Sequence, residues 1–313
     1  MQPSAAVPMK ALQNVFGESL QENVMLSNYT TARVGGAAAA LLIVHSAQEL
    51  ENALQHLWQL KAPYRVLGSG SNVLISDRGL QEVVVINRAN LIKVDTHTDP
   101  PTVWAESGAS MASIGKRLAL RGLSGFEWGT YIPGTLGGAI YGNAGAHGGD
   151  IQNQLILADI LHPELGKVQW NNDQFEYGYR SSILKRTDSP AVILSARLAL
   201  NYGTREGVEK CLQTIYDRRV KMQPPGSSLG SIFKNPGEDK AGRLIESAGL
   251  KGTRIGDVEI SQKHANFFVN YGQAAAKDIY QLILLAQRTV EEKFGVKLEM
   301  EIELLGEWTE HER

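Results

Sequence analysis

"WGTYIPGTLGGAIYGNAGAHGGD", residues 128–150, places eight glycines between 129 and 149, interleaved with aromatic and apolar side chains. Glycine loses more conformational freedom on folding than any other residue, so such density is a poor way to build a core. It suits backbone that lies against a long flat ligand. Each missing side chain permits closer approach there, and each free N–H can point at a phosphate oxygen. A diphosphate carrying a planar ring has that shape. The alternative is a glycine-rich surface loop, against which Tyr131, Ile132, Pro133, Leu136, Ile140 and Tyr141 argue for order.

Upstream, "LGSGSNVLI" at 67–75 leaves a predicted strand and turns on Gly68 and Gly70, a second place where successive amides can face one anion. It resembles half of a dinucleotide fingerprint. Val73 stands where the third glycine of GxGxxG belongs, and a strand rather than a helix is predicted next, which disfavours a Rossmann unit. Together the two loops point to a nucleotide cofactor.

The remaining chain bounds this reading. Its 313 residues are 43% hydrophobic and 20% charged, enough for two or three cores. With 31 basic and 33 acidic residues the formal charge is -2, so no global field favours nucleic acid or an acidic membrane surface. Cys211, the only cysteine, excludes an intrachain disulfide and suits a reducing cytosol, and no histidine spacing suggests a metal. The longest apolar run, "AAAALLIV" at 37–44, is far shorter than the ~20 residues a membrane span needs.

Periodicity outlines three parts after an unassigned leader over 1–20. Within 21–88, Ser46 and Glu49 open a helix with Leu50, Ala53, Leu54 and Leu57 on one face, and "YRVLG" and "EVVVI" are predicted strands. Within 89–204, strand "TVWAE" precedes a helix from Met111 to Leu120 closed by Gly122, and residues 183–205 look like a short hairpin. From 205 the texture changes. Helix "VEKCLQTIYDRRVK", linker "PPGSS", helix "AGRLIESAG", strands near 255–270 and a helix over 274–294 follow, with Ile279, Leu282, Leu285, Ala286 and Val290 as its apolar stripe. "KLEMEIELLG" is predicted as one alternating strand returning toward the site. "LGSIFKNP", 229–236, taken alone is a half-buried strand entered from a turn.

Seven blocks, "GSGSN", "GTYIPGTLGGAIYGNAGAHGGDI", "YGYRSSIL", "GSIFKNP", "AGRLIESAGLKG", "SQKHANFFVN" and "LEMEIELLGE", occur in an order that resembles the UDP-N-acetylenolpyruvoylglucosamine reductase family, over about residues 28 to 307. The resemblance implies an α+β chain: a two-subdomain FAD-binding fold of the vanillyl-alcohol-oxidase (PCMH) type and a C-terminal α+β substrate-binding domain. It implies non-covalent FAD reduced by NADPH, then reduction of UDP-N-acetylglucosamine enolpyruvate to UDP-N-acetylmuramate in peptidoglycan synthesis. A cytoplasmic enzyme with no obligate protein partner is expected. His147 lies where related oxidases sometimes attach flavin covalently, and the resemblance points against attachment.

Carried over residue by residue, the resemblance gives the cofactor Gly68, Ser69, Gly70, Ser71, Asn72, Gly129, Thr130, Ile132, Pro133, Gly134, Gly137, Gly138, Asn143, Ala144, Gly145 and Ala146. Hydride from reduced flavin would leave carbanion character beside the substrate carboxylate, a charge needing cationic or protonated neighbours. Arg180 matches the family's catalytic arginine, whose planar fork suits a carboxylate. Glu301 matches a catalytic glutamate that must be protonated or hydrogen-bonded through water to help. Alternation puts Glu299 and Glu303 on the same face, so only the motif selects Glu301. Ser231 matches the proton donor, with Gly230 leaving room beside it and Lys234 a charge to ease the alkoxide. Asn235, Tyr179, Arg218 and Lys221 match substrate contacts, with Arg219 as an alternative to either cation. His264 is equally well a buried structural histidine.

The chain departs from part of the family: no long insertion after Arg180 carries the tyrosine that folds over substrate in one subgroup. An alcohol or lactone oxidase of the same fold is the nearest rival, and a catalytically silent nucleotide-binding module is a more distant one.

Overall fold

A computed structural model describes residues 6–237 and 239–308. The first layer is a four-stranded sheet ordered Gln21–Met25, Ala37–Val44, Leu80–Asn87, Tyr64–Leu67, antiparallel at the first pair and parallel at the other two. Ala37–Val44 is buried nearly throughout because apolar side chains cover both faces of the sheet. Helix Ala47–Gln59 covers one of them. Ser46 Oγ accepts from Glu49 N at 3.1 Å, while the Glu49 carboxylate accepts from His45 N, one residue before the expected capping-box partner. Leu50, Ala53, Leu54 and Leu57 are buried, the face that the sequence predicts.

The leader gains structure that the sequence did not suggest. Helix Met9–Phe16 drops a fully buried Leu12 into the cluster of Leu50 and Leu54, with Met9 and Phe16 on the same face packed partly buried against it. Residues 1–5 lie outside the described residues.

The second layer is a five-stranded antiparallel sheet ordered Gly166–Asn171, Leu155–His162, Val192–Ala199, Thr102–Glu106, Ile92–Asp95. Its centre corrects the reading of 183–205 as a hairpin. Ile183–Arg186 is one helical turn, and Val192–Ala199 is a core strand whose Leu194, Ala196 and Leu198 are buried, because "AVILSARLAL" is apolar on both faces. Helix Met111–Ala119 is capped by Ser110 and followed by Gly122 at φ +67°, near the predicted limits.

In the third part, helices Ala241–Ser247 and Ala276–Phe294 pack on a three-stranded antiparallel sheet of Arg254–Ile255, Val258–Ile260 and Phe268–Asn270. Ala32, Val34 and Leu74 from the N-terminal sequence belong to this same core. "KLEMEIELLG" is not one strand. Phe233 and Met300 form a single antiparallel bridge, Glu301 and Ile302 bend, and only Glu303–Leu305 is a strand, parallel to Val73–Ile75. Switching partner from an antiparallel to a parallel neighbour forces that break. No helix among the described residues is long and apolar enough to cross a membrane.

Candidate active site

The two glycine loops meet. Ser71 Oγ donates to Pro133 O at 3.1 Å, and a Cβ on Gly68 would collide with the Thr135 side chain. Gly70 has φ +59°, and a Cβ there would strike the Tyr29 carbonyl, so the loop is closed by packing against backbone. The amides of Ser69, Gly70 and Ser71 donate to no protein acceptor among the described residues, and Ser69 Oγ is buried without a partner. A buried hydroxyl left unpaired is costly, and successive free amides on one curl of backbone favour an anion, so this loop fits a group such as a diphosphate.

The glycine block divides into two kinds of position. A Cβ on Gly137 or Gly149 would run into Ser107 or Trp128, so those glycines serve protein packing rather than ligand approach. Around Gly148 the space is open, and a Cβ on Gly138 would meet only the Thr135 hydroxyl at ordinary contact distance. Helix Leu136–Tyr141, with Thr135 at its N-cap, and the small ladder of Gly145–Ala146 with Gly149–Asp150 give the block its order. Buried Asn143 fixes its far end, donating to Gly178 O at 3.0 Å and accepting from Gln152 N.

That bond brings in Arg180. It sits at φ +56°, a left-handed conformation that non-glycine residues rarely adopt and that functional sites often retain. Its Nη2 donates to Gly145 O at 2.7 Å and its Nε to Glu301 Oε1 at 2.9 Å. Tyr179, exposed, lies with its ring 5.2 Å from the guanidinium carbon. Arg180 and Glu301 keep only 24% and 21% side-chain exposure. Burial pushes the Glu301 carboxyl above its ordinary value, against the opposing pull of Arg180, then Lys185 and Lys234. The group is therefore set to hold a proton more readily than a surface glutamate.

Glu301 is tied by its backbone to the serine segment. Glu301 N donates to Ile232 O at 2.8 Å, and Asn72 Nδ2 donates to Glu301 O at 3.2 Å. On the other side of the serine segment, Ile232 N donates to Asn266 O, and the buried Asn266 amide bonds both N and O of Phe233. Ser231 thus lies on extended backbone clamped between two neighbours, anchored by buried Ile232 and Phe233. Gly230 is required by its φ of +73° as well as by the open space beside it.

The three carboxylates that alternation could not separate have different cations: Glu299 pairs with Lys234, Glu301 with Arg180, and Glu303 with Lys185. Lys234 is thus already engaged near the serine. Arg218 and Arg219, on helix Arg205–Met222, lower the His147 pKa after burial itself, which puts their charge beside the glycine block. Lys221 is exposed on the next turn.

Two predicted contacts have evident structural work. Asn235 Oδ1 accepts from Ala241 N at the start of a helix, and His264 packs edge-on to Phe267 while its Nδ1 accepts from Asn266 N. Sequence reasoning missed Asn266, Ser182 and Lys185. An asparagine inside the apolar run "ANFFVN" was the available signal for the first.

The unpaired amide cradle, the glycine-rich backbone and the arginine–carboxylate pair, linked through Gly145, Arg180, Glu301 and Asn72, suit a flavin-dependent oxidoreductase scaffold. Residues 38–170 match an FAD-binding domain, and residues 222–305 match the C-terminal domain of UDP-N-acetylenolpyruvoylglucosamine reductase. The chain is 40% identical over 290 residues to that reductase of Chloroflexus aggregans, spanning 92% of this chain and 98% of the relative. It is 38% identical over 286 residues to the Bacillus subtilis reductase, spanning 91% and 93%. The crystal structure of the Thermus caldophilus reductase superposes with a TM-score of 0.77 at 35% identity, covering 92% of this chain and all of that one. The chain belongs to the UDP-N-acetylenolpyruvoylglucosamine reductase family, and FAD is its cofactor.

Proposed function

We propose that Ser231, Arg180 and Glu301 carry the reduction of UDP-N-acetylglucosamine enolpyruvate to UDP-N-acetylmuramate, with NADPH as reductant, as a cytoplasmic step of peptidoglycan synthesis. Bound FAD supplies hydride transfer between NADPH and the enol carbon. Residues 68–72 and the 129–146 block, Gly137 apart, would hold it, the Ser69–Ser71 amides and Ser69 Oγ offering the donors that a diphosphate accepts.

Arg180 orients the substrate carboxylate and spreads its growing charge, while the buried Glu301 carboxyl, which takes up a proton more readily than a surface glutamate, repels that charge less than an exposed carboxylate would and donates a hydrogen bond when protonated. Ser231 Oγ gives its proton to the carbon beside that carboxylate, a base strong enough to take one from an alcohol. Lys234, Arg218, Lys221 and Tyr179 hold the sugar nucleotide, with Arg219 as alternative to either helix cation. Asn235 and His264 act at most by shaping that wall. Parts 21–88 and 89–204 serve the cofactor and 205–313 the substrate. The chain falls in the subgroup without the tyrosine lid, and no further protein is required.

One chain of contacts carries this reading: Gly145 O to Arg180, Arg180 to Glu301, and Glu301 N to Ile232 O, beside Ser231. Without oxygen, NADPH should bleach the yellow enzyme and the enolpyruvyl sugar nucleotide should restore its colour. In Ser231→Ala the bleaching should persist while recolouring slows by about 10²–10⁴-fold. Recolouring at the wild-type rate would remove Ser231 from the mechanism.

A further inference from the structure

Two carboxylates, Glu301 and Glu303, stand two residues apart, and the segment 180–185 supplies an ion-pair partner to each, Arg180 to Glu301 and Lys185 to Glu303. Arg180 offers one fork. If both acids carried charge nearby, they would compete for it, and each would weaken the other's control of its proton. A second cation prevents this. Lys185 Nζ lies 2.9 Å from Glu303 Oε1, with 18% and 29% side-chain exposure.

The lysine is held rigidly. Ser182, wholly buried, donates through Oγ to Tyr141 O at 2.6 Å and accepts from Lys185 N, capping the turn Ile183–Arg186. Leu184 anchors that turn in the second core. Glu303 is fixed as well: its N–H donates to Asn72 O at 2.9 Å, and its strand pairs with Val73–Ile75. Neither partner of the ion pair is a long side chain swinging over solvent.

We propose that Lys185 is a positioning residue: by neutralising Glu303 it leaves the Arg180 fork to Glu301 alone and sets how firmly Glu301 keeps its proton. This rests on the reading of Glu301 as an acid of the site. The charged groups facing Glu301 are Arg180, Lys185 and Lys234, the last shared with Glu299. Those around Glu303 are Lys185 and Tyr141, whose own surroundings add Asp188 and Arg65.

The test is a carboxyl titration of Glu301 in the oxidised holoenzyme, using ¹³C-glutamate NMR with the signal assigned by its loss in Glu301→Gln. In Lys185→Met the midpoint should rise by about one pH unit, since a cation leaves and Glu303 is set free. Lys185→Arg should keep the wild-type midpoint. Glu303→Gln should move it the opposite way, and the Lys185→Met, Glu303→Gln double variant should return most of the rise. A midpoint unmoved in Lys185→Met, or moved upward in Glu303→Gln, overturns the proposal. The pH profile of substrate reduction decides the underlying reading separately: its basic limb should follow the NMR midpoint, and full activity in Glu301→Ala, which removes the donor, would reject the role of Glu301 itself.

Discussion

Arg180 Nε donates to Glu301 Oε1 at 2.9 Å across 121 positions of sequence, so these two members of the site come from different parts of the chain. The pair is bridging rather than isolated, because the other end of the guanidinium holds the Gly145 carbonyl. One planar group thereby locates a carboxylate relative to the glycine block.

Arg180→Lys keeps the charge and loses that geometry. A lysine ammonium cannot present two donors in a fixed plane, so it will not satisfy Gly145 O and Glu301 together. Substrate reduction is expected to fall about 10²–10³-fold with FAD still bound, measured by stopped-flow absorbance. A variant as fast as wild type would show that the fork itself contributes little.

Glu301 gives a pH signature in stability. Its folded value is raised by burial, so the fold favours the protonated form. That contribution is complete below the ordinary glutamate value and is lost as pH rises through the raised folded value. Glu301→Gln, a neutral isostere, should therefore gain in urea stability relative to wild type as pH climbs from the ordinary glutamate range to neutrality. A constant difference across those pH values contradicts the direction.

Gly70→Ala sets an L side chain at φ +59° against the Tyr29 carbonyl. Strain of about 1–3 kcal/mol is expected, and the loop relieves it by opening the amide cradle. The purified variant should bind FAD at least tenfold more weakly, read by the yellow colour retained on gel filtration. Full retention would mean that the cradle is not the anchoring element.

Asp77 links the halves of the molecule. It sits beside Ser76 on the turn after Val73–Ile75, and its carboxylate accepts from Ala276 N at 2.8 Å and Lys277 N at 3.0 Å, capping a helix 200 positions away. Asp77→Ala should cost about 1 kcal/mol in urea unfolding and raise hydrogen exchange at those two amides first. Exchange unaltered at Ala276 and Lys277 would deny the cap.

Much of this was legible in the chain because local rules and global packing agree there. Ser46 with its Leu50, Ala53, Leu54 and Leu57 face, the strand after Asn72, and the Ala276–Phe294 stripe each follow from periodicity and caps. Val192–Ala199 was misread because a strand buried on both faces shows no alternation. Helix Met9–Phe16 went unread because its short stripe of Met9, Leu12 and Phe16 has no side-chain N-cap to mark its start. At the site, glycine density signals a ligand but cannot say which glycines serve it, and Gly137 and Gly149 turn out to face protein. The choice among Glu299, Glu301 and Glu303 depends on cations far away in sequence, which no spacing rule reports.

The parallel pairing of Glu303–Leu305 with Val73–Ile75 sets an order of events during biosynthesis. Loop-closure entropy over some 230 positions has to be met before that contact forms, so it is among the last to be made. A ribosome-tethered chain that has reached residue 298 contains residues 68–72 and Arg180 yet lacks Glu301. Catalytic competence should consequently trail flavin capture during refolding, with coloured but inactive molecules accumulating for a time before the enzyme begins to turn over.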